Sequence, residues 1–204
     1  MHKQRARNWA WGWLGAVLVA ALAAAWGRAF SGEVEQTFQI VGPAGATPQI
    51  WTASRLEKEF AAEVKPVEYV ARGHKHTYNC VPLMSVLKAA GAPTEIETAQ
   101  KPEPKLKSYP LRFIVVVQGR DGYVVAFSLA ELLPSIGNRQ VWLALEMDGA
   151  PLLERESPAR LIVPEDKQAA RGVHQIAAIT IINAAEMVKP AVSGASTQPS
   201  ATSP

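Results

Sequence analysis

Apolar residues recur at Leu83, Val86, Leu87 and Ala90, a spacing of i, i+3, i+4 and i+7 that puts them on one helical face. Pro82 suits a first helical turn, where no intrahelical N–H is needed. Gly91 can take the left-handed conformation that ends a helix, and Pro93 prevents a restart. A strand-like run over 77–80 feeds straight into this helix. Elsewhere the period is two. Residues 37–41 alternate polar and apolar and are closed by Gly42 and Pro43, which predicts a strand. Further strands are expected over 64–71, over 76–80 after a turn at 72–75, and over 111–118 with its apolar centre at 113–117. The pattern continues at 123–127 after a turn at 119–122, then at 141–147, 161–163 and 173–182. Leu152 and Leu153 form a short apolar element after a turn at Asp148 and Gly149. Two short helices carry start signals. Ser54 with Glu57 fits a capping box, with Thr52 as an alternative cap, for a helix to about residue 62. Ser128 with Glu131 fits a second box, and Pro134 stops that helix. Residues 94–110 are polar and proline-punctuated and read as a long surface loop, functional or mobile.

The first 29 residues differ from the rest. A basic start (Lys3, Arg5, Arg7) precedes an apolar run from Trp9 to Trp26, and Gly27-Arg28-Ala29 places small residues before a cut at Phe30. This is the three-part pattern of a secretory signal. An uncleaved membrane anchor is the rival reading, since the run has 18 residues with tryptophans at both ends. Both readings keep the positive end in the cytoplasm and export the domain to the periplasm, with membrane attachment only through this segment. Residues 190–204, made of Ser, Thr, Pro, Ala, Gly, Val and Gln, read as a disordered tail. Between them lies one domain, over 33–189. A domain of about 150 residues buries roughly 68–70% of its unfolded surface, so it can stand without disulfides.

Charge changes the picture only once the leader is removed. The whole chain carries 21 Lys and Arg against 18 Asp and Glu. Four of those basic residues, Lys3, Arg5, Arg7 and Arg28, lie in the leader with no acid, which leaves 17 basic residues against 18 acidic. The basic balance therefore belongs to the leader, and nothing argues for nucleic-acid binding. One cysteine, Cys80, excludes an internal disulfide and any cysteine-rich metal cluster.

From its position alone, Cys80 reads as a buried small residue or as a reactive thiol whose pKa is lowered just before a helix. His74, His76 and Cys80 share parity along one strand, a set that could ligate zinc or copper. The turn at Gly73 is expected to take His74 out of the strand and leave a basic hairpin tip instead. Arg160 is a candidate for a bidentate anion or phosphate contact, or a structural arginine. Arg112, Arg120, Arg171 and His174 are expected at the surface. Glu131 and Glu57 are assigned to caps, and Glu154 and Glu156, flanking Arg155, are not read as an acid–base pair.

An ordered set of segments carries a resemblance. Asn79-Cys80-Val81-Pro82-Leu83 with Leu87 and Ala89-Ala90-Gly91 is similar to a "G-V-P-L … L-L … A-G" segment. Asp121-Gly122-Tyr123, Ser128-Leu129-Ala130-Glu131-Leu132, Leu143-Ala144, Asp148-Gly149-Ala150-Pro151-Leu152 and Pro158-Ala159-Arg160-Leu161-Ile162-Val163-Pro164 follow in order. Together they resemble the oxidoreductase molybdopterin-binding domain of sulfite oxidase type, over about 37–182. The resemblance implies a mixed α/β, β-rich, single-domain fold. It also implies, for catalytic members, a molybdenum–pterin cofactor whose metal is held by a cysteine thiolate upstream of "G-x-P-L", at a strand end. Here that region, 67–73, holds no cysteine, and Cys80 stands where the family has the glycine of "G-V-P-L". The "G-x-P-x-R" segment keeps Pro158 and Arg160, with its glycine replaced near Ser157.

The resemblance makes Arg160 and Cys80 the cofactor-binding candidates, with Cys80, displaced from the family's usual position, the candidate molybdenum ligand. The expectation is an exported, degenerate, non-catalytic member without molybdopterin, acting as a binding or interaction module for a protein partner in the periplasm. The alternative is an active molybdopterin-dependent oxidoreductase with a separate electron partner.

Overall fold

The computed structural model describes residues 35–43, 46–71, 73–94 and 109–188. The leader, most of the 94–110 loop and the tail lie outside these. Among the described residues, ten strands form two sheets. In the first, the order is β2 (Gln49–Thr52), β1 (Thr37–Val41), β10 (Ile176–Asn183), β5 (Phe113–Gly119) and β6 (Val124–Ser128). Only the β1–β10 pair in it is parallel. The second sheet runs β3 (Lys65–Ala71), β4 (His74–Pro82), β7 (Trp142–Met147) and β8 (Ala150–Pro151). The strand β9 (Arg160–Ile162) pairs with the first half of β7, whereas β8 pairs with its last two residues. Residues 152–159 therefore loop out between two strands that share one edge of β7.

Period two explains the first sheet. Phe38 and Ile40, Phe113, Val115 and Val117, Val125 and Phe127, and Ile179 and Ile181 are buried on one face. They share one apolar core with Val81, Leu143, Leu145 and Leu161 of the second sheet and with the helices. In the second sheet Trp142 to Leu145 and Arg160 to Ile162 are buried without alternation, because both faces are covered. Its other face carries a smaller core of Tyr69, Ala71, Tyr78, Cys80, Trp142, Ala144 and Ile162.

The helix α2 (Leu83–Ala89) buries Leu83, Val86 and Leu87 as its spacing requires. Pro82 is its N-cap without a side-chain bond, and the Leu83 N–H goes to the Val141 carbonyl at 2.9 Å. Gly91 ends it at φ +85°. The helix α1 (Ala53–Glu59) is shorter than expected, and Thr52, not Ser54, is its cap, accepting from the Arg55 N–H at 3.1 Å. Ser54 instead donates its hydroxyl and its N–H to Glu35, both at 2.8 Å. Ser128 caps α3 (Leu129–Leu132) through the Ala130 N–H, but Glu131 does not reach back. It pairs with Arg171 at 3.3 Å and Arg139 at 3.9 Å, which offer it full charges. A last short helix, α4 (Ala184–Met187), follows β10.

His74 belongs to β4 and faces Ala71 of β3, contrary to the expectation that Gly73 removes it. A two-residue connection suffices because Gly73 takes φ +82°. The 173–182 strand begins only at Ile176. Val173 makes an isolated bridge to Leu161, and the β8 pairing falls on Ala150 and Pro151, not on Leu152 and Leu153.

Candidate functional site

The second face of the β3–β4–β7–β9 sheet gathers the candidate residues. Cys80, Ala144 and Arg160 are register partners across β4, β7 and β9, so Cys80 and Arg160 share a face about 10 Å apart, two strand spacings. Cys80 is fully buried, and its Sγ donates to the Tyr78 carbonyl at 3.5 Å. Burial pushes its thiol up to about 12. The helix-start reading, in which the pKa falls, is therefore corrected. Cys80 faces the smaller core while the apolar stripe of α2 enters the larger one, so no favourable end charge offsets the desolvation.

Arg160 is 4% exposed. Its Nη1 donates to Glu156 Oε1 and to Tyr78 Oη, each at 2.9 Å. Its guanidinium carbon lies 5.6 Å from the Tyr69 ring centroid and 5.4 Å from that of Tyr78. Glu156 is itself 5% exposed and comes from the 152–159 loop. His174 Nδ1 stands 3.5 Å from the same Oε1. Three buried polar atoms of this cluster have no protein partner: Arg160 Nε, Glu156 Oε2 and Tyr69 Oη. Burial raises the pKa of Tyr69 and Tyr78, and the nearby Arg160 charge opposes this. Sequence reasoning missed Glu156, Tyr69 and Tyr78. One signal was available. Counted back from Arg160, the first position of the resembled "G-x-P-x-R" segment falls on Glu156 and not on Ser157.

Tyr69 also lines a cleft of about 540 Å³ between the β3–β4 hairpin and residues 164–169, with Val70, Gly73, Lys75, Asp166 and Lys167 around it. Lys75 is ion-paired with Glu68 at 2.8 Å. Asp166 accepts from Arg171 Nη2 at 2.6 Å and Nε at 2.7 Å, which holds its carboxyl below the usual range. The 67–73 segment, where the resemblance puts the metal ligand, forms one wall of this cleft. That wall offers a carboxylate and a phenol and no thiol. Cys80 pairs with Lys65, at the far end of β3 from the hairpin, about 20 Å along the strand. The residues at the cleft therefore do not fit a thiolate-ligated metal.

The His74, His76 and Cys80 set does not assemble either. His74 and Cys80 are six residues apart on one strand, about 20 Å. His76 Nδ1 is bound to Asp148 Oδ2 at 2.7 Å, and no group of three such donors could hold a metal among the described residues. The other basic candidates have local partners. Arg112 lies over the Tyr109 ring, Arg120 donates to the Thr37 carbonyl at 2.8 Å, and Arg171 serves Asp166 and Glu131 above the Phe127 ring.

Among solved structures, the chain is similar to the sulfane dehydrogenase SoxCD from Paracoccus pantotrophus, at 19% identity and a TM-score of 0.47. The alignment covers 72% of this chain and 38% of that one, so the chain spans well under half of that enzyme's length. A search of curated proteins returned no match. A family model, the oxidoreductase molybdopterin binding domain, matches residues 50–188, more than half of the sequence. The sheet-rich single domain and the ordered motifs agree with that match, and the chain belongs to the oxidoreductase molybdopterin binding domain family.

Proposed function

We propose that this chain is an exported member of its family whose domain serves as a binding or interaction module in the periplasm and not as a molybdenum-dependent oxidoreductase. One observation carries the reading. The only cysteine is fully buried as a neutral thiol, while the strand-end segment at the cleft holds none. A soft thiolate is the ligand that suits a metal cycling between oxidation states in this family's chemistry. A phenol and an ion-paired carboxylate do not replace it. The commitment of Arg160 to Glu156 supports the same reading, because it occupies the guanidinium that would otherwise meet an anionic cofactor group. The basic, apolar and small-residue sequence of the first 29 residues supports export.

The test is elemental and pterin analysis of the exported protein, purified from a host that makes molybdenum cofactor. The expected result is folded protein with neither molybdenum nor pterin. Stoichiometric molybdenum with pterin fluorescence would overturn the reading in favour of an active oxidoreductase with a separate electron partner. Cys80→Ser would then report whether that thiol is the ligand.

A further inference from the structure

The Arg160–Glu156 pair is buried but incompletely matched. A guanidinium and a carboxylate that close on each other as a fork make two parallel bonds. Here one bond forms, Nη1 to Oε1 at 2.9 Å, while Glu156 Oε2 and Arg160 Nε, on the opposite edge of the guanidinium, remain buried without partners. A third unpartnered polar atom, Tyr69 Oη, belongs to the same cluster, on a side chain only 6% exposed. The guanidinium lies near two aromatic rings, each within 6 Å, an arrangement that holds a cation. The carboxylate arrives on a loop, not on the sheet. Glu154 and Arg155 beside it are exposed, and the partly exposed His174 touches the same oxygen.

From this geometry we infer that Arg160, Tyr69 and Tyr78 form a seat for a small carboxylate or oxyanion, and that Glu156 is the chain's own anion occupying it. The inference rests on the proposed function in one respect, that no molybdopterin group meets Arg160.

The test uses the full chain with formate and sulfate as separate probes, titrated by calorimetry. Glu156→Ala removes the internal anion and leaves room for either probe. Saturable uptake of one formate or sulfate per chain is expected in Glu156→Ala and not in the wild type. The double variant Glu156→Ala with Arg160→Met removes both charges and is expected to take up neither. Folded Glu156→Ala that binds neither probe overturns the inference, as does uptake that persists in the double variant. If Glu156→Ala folds only when formate or sulfate is present, that recovery supports the seat. If it stays unfolded with both probes, the titration passes to Glu156→Ser, whose short hydroxyl still leaves room for a probe, and absence of uptake there overturns the inference. Molybdenum in the wild-type protein would remove the functional reading by itself, and the titration of the variants would still decide this one.

Discussion

Cys80 gives the sharpest chemical prediction. Its thiol is pushed from an ordinary 9.0 up to about 12 by burial. At pH 8 a thiol of ordinary pKa is about one-tenth thiolate, whereas one near 12 is about one part in ten thousand, a difference of about a thousandfold. Native protein should therefore react with an aromatic disulfide reagent at pH 8 at least about a thousandfold more slowly than the same protein in denaturant. Exclusion of the reagent from a fully buried site adds to that factor. The same shift ties stability to pH. The folded state keeps the proton to higher pH than the unfolded state, so this stabilisation is fully present below pH 9. It is lost as pH rises through about 12, a loss of about 4 kcal/mol over that window. Tyr69 and Tyr78, also raised by burial, act in the same alkaline direction. Chemical denaturation at pH 8, 9, 10 and 11 measures the slope, and Cys80→Ala should flatten it. Labelling of the native thiol at the free-thiol rate would refute the reasoning, as would an alkaline slope unchanged in Cys80→Ala.

Breaking the buried pair one partner at a time, with Glu156→Gln or Arg160→Met, should each cost about 3–5 kcal/mol by urea denaturation. The double change to apolar residues should cost clearly less than the sum. Gly137→Ala should cost about 1–3 kcal/mol, because a Cβ there would run into the Glu131 carbonyl oxygen, a backbone atom that cannot swing away. Asp166→Asn should lower stability at neutral pH by about 2 kcal/mol. It should also reduce the acid sensitivity of the fold, since the depressed Asp166 stabilises above its ordinary 3.8 and that contribution is lost as pH falls through its lower folded value. Zinc in excess should leave the melting temperature unchanged, and His74→Ala with His76→Ala should not alter that result, because the donors lie along a strand and not around a point.

Much of the fold is legible where local pattern and packing agree. The stripe at Leu83, Val86 and Leu87 and the alternation at Phe38 and Ile40 each name the buried face because one side of the element meets the core. The pattern is silent where both faces are covered. The parity of His74, His76 and Cys80 named one face of the strand, but not that Trp142, Ala144 and Ile162 close over its Cys80 end. Caps were legible as residue types and not as partners. Glu131 has the spacing of a capping box, but two arginines brought close by the fold attract it more strongly than one N–H. Glu156 was hidden for a similar reason. A carboxylate in a loop reads as solvated, and only the return of the chain into β9 carries it under Arg160. His74 went astray through a turn assigned four residues when a positive-φ glycine lets two suffice.

The central claim is that the family's domain is kept here while its thiolate site is not. Native mass spectrometry of the folded protein from a cofactor-producing host tests it most directly. The account predicts a single species at the mass of the polypeptide alone. A species heavier by one molybdenum–pterin cofactor, lost on Cys80→Ser, would contradict it.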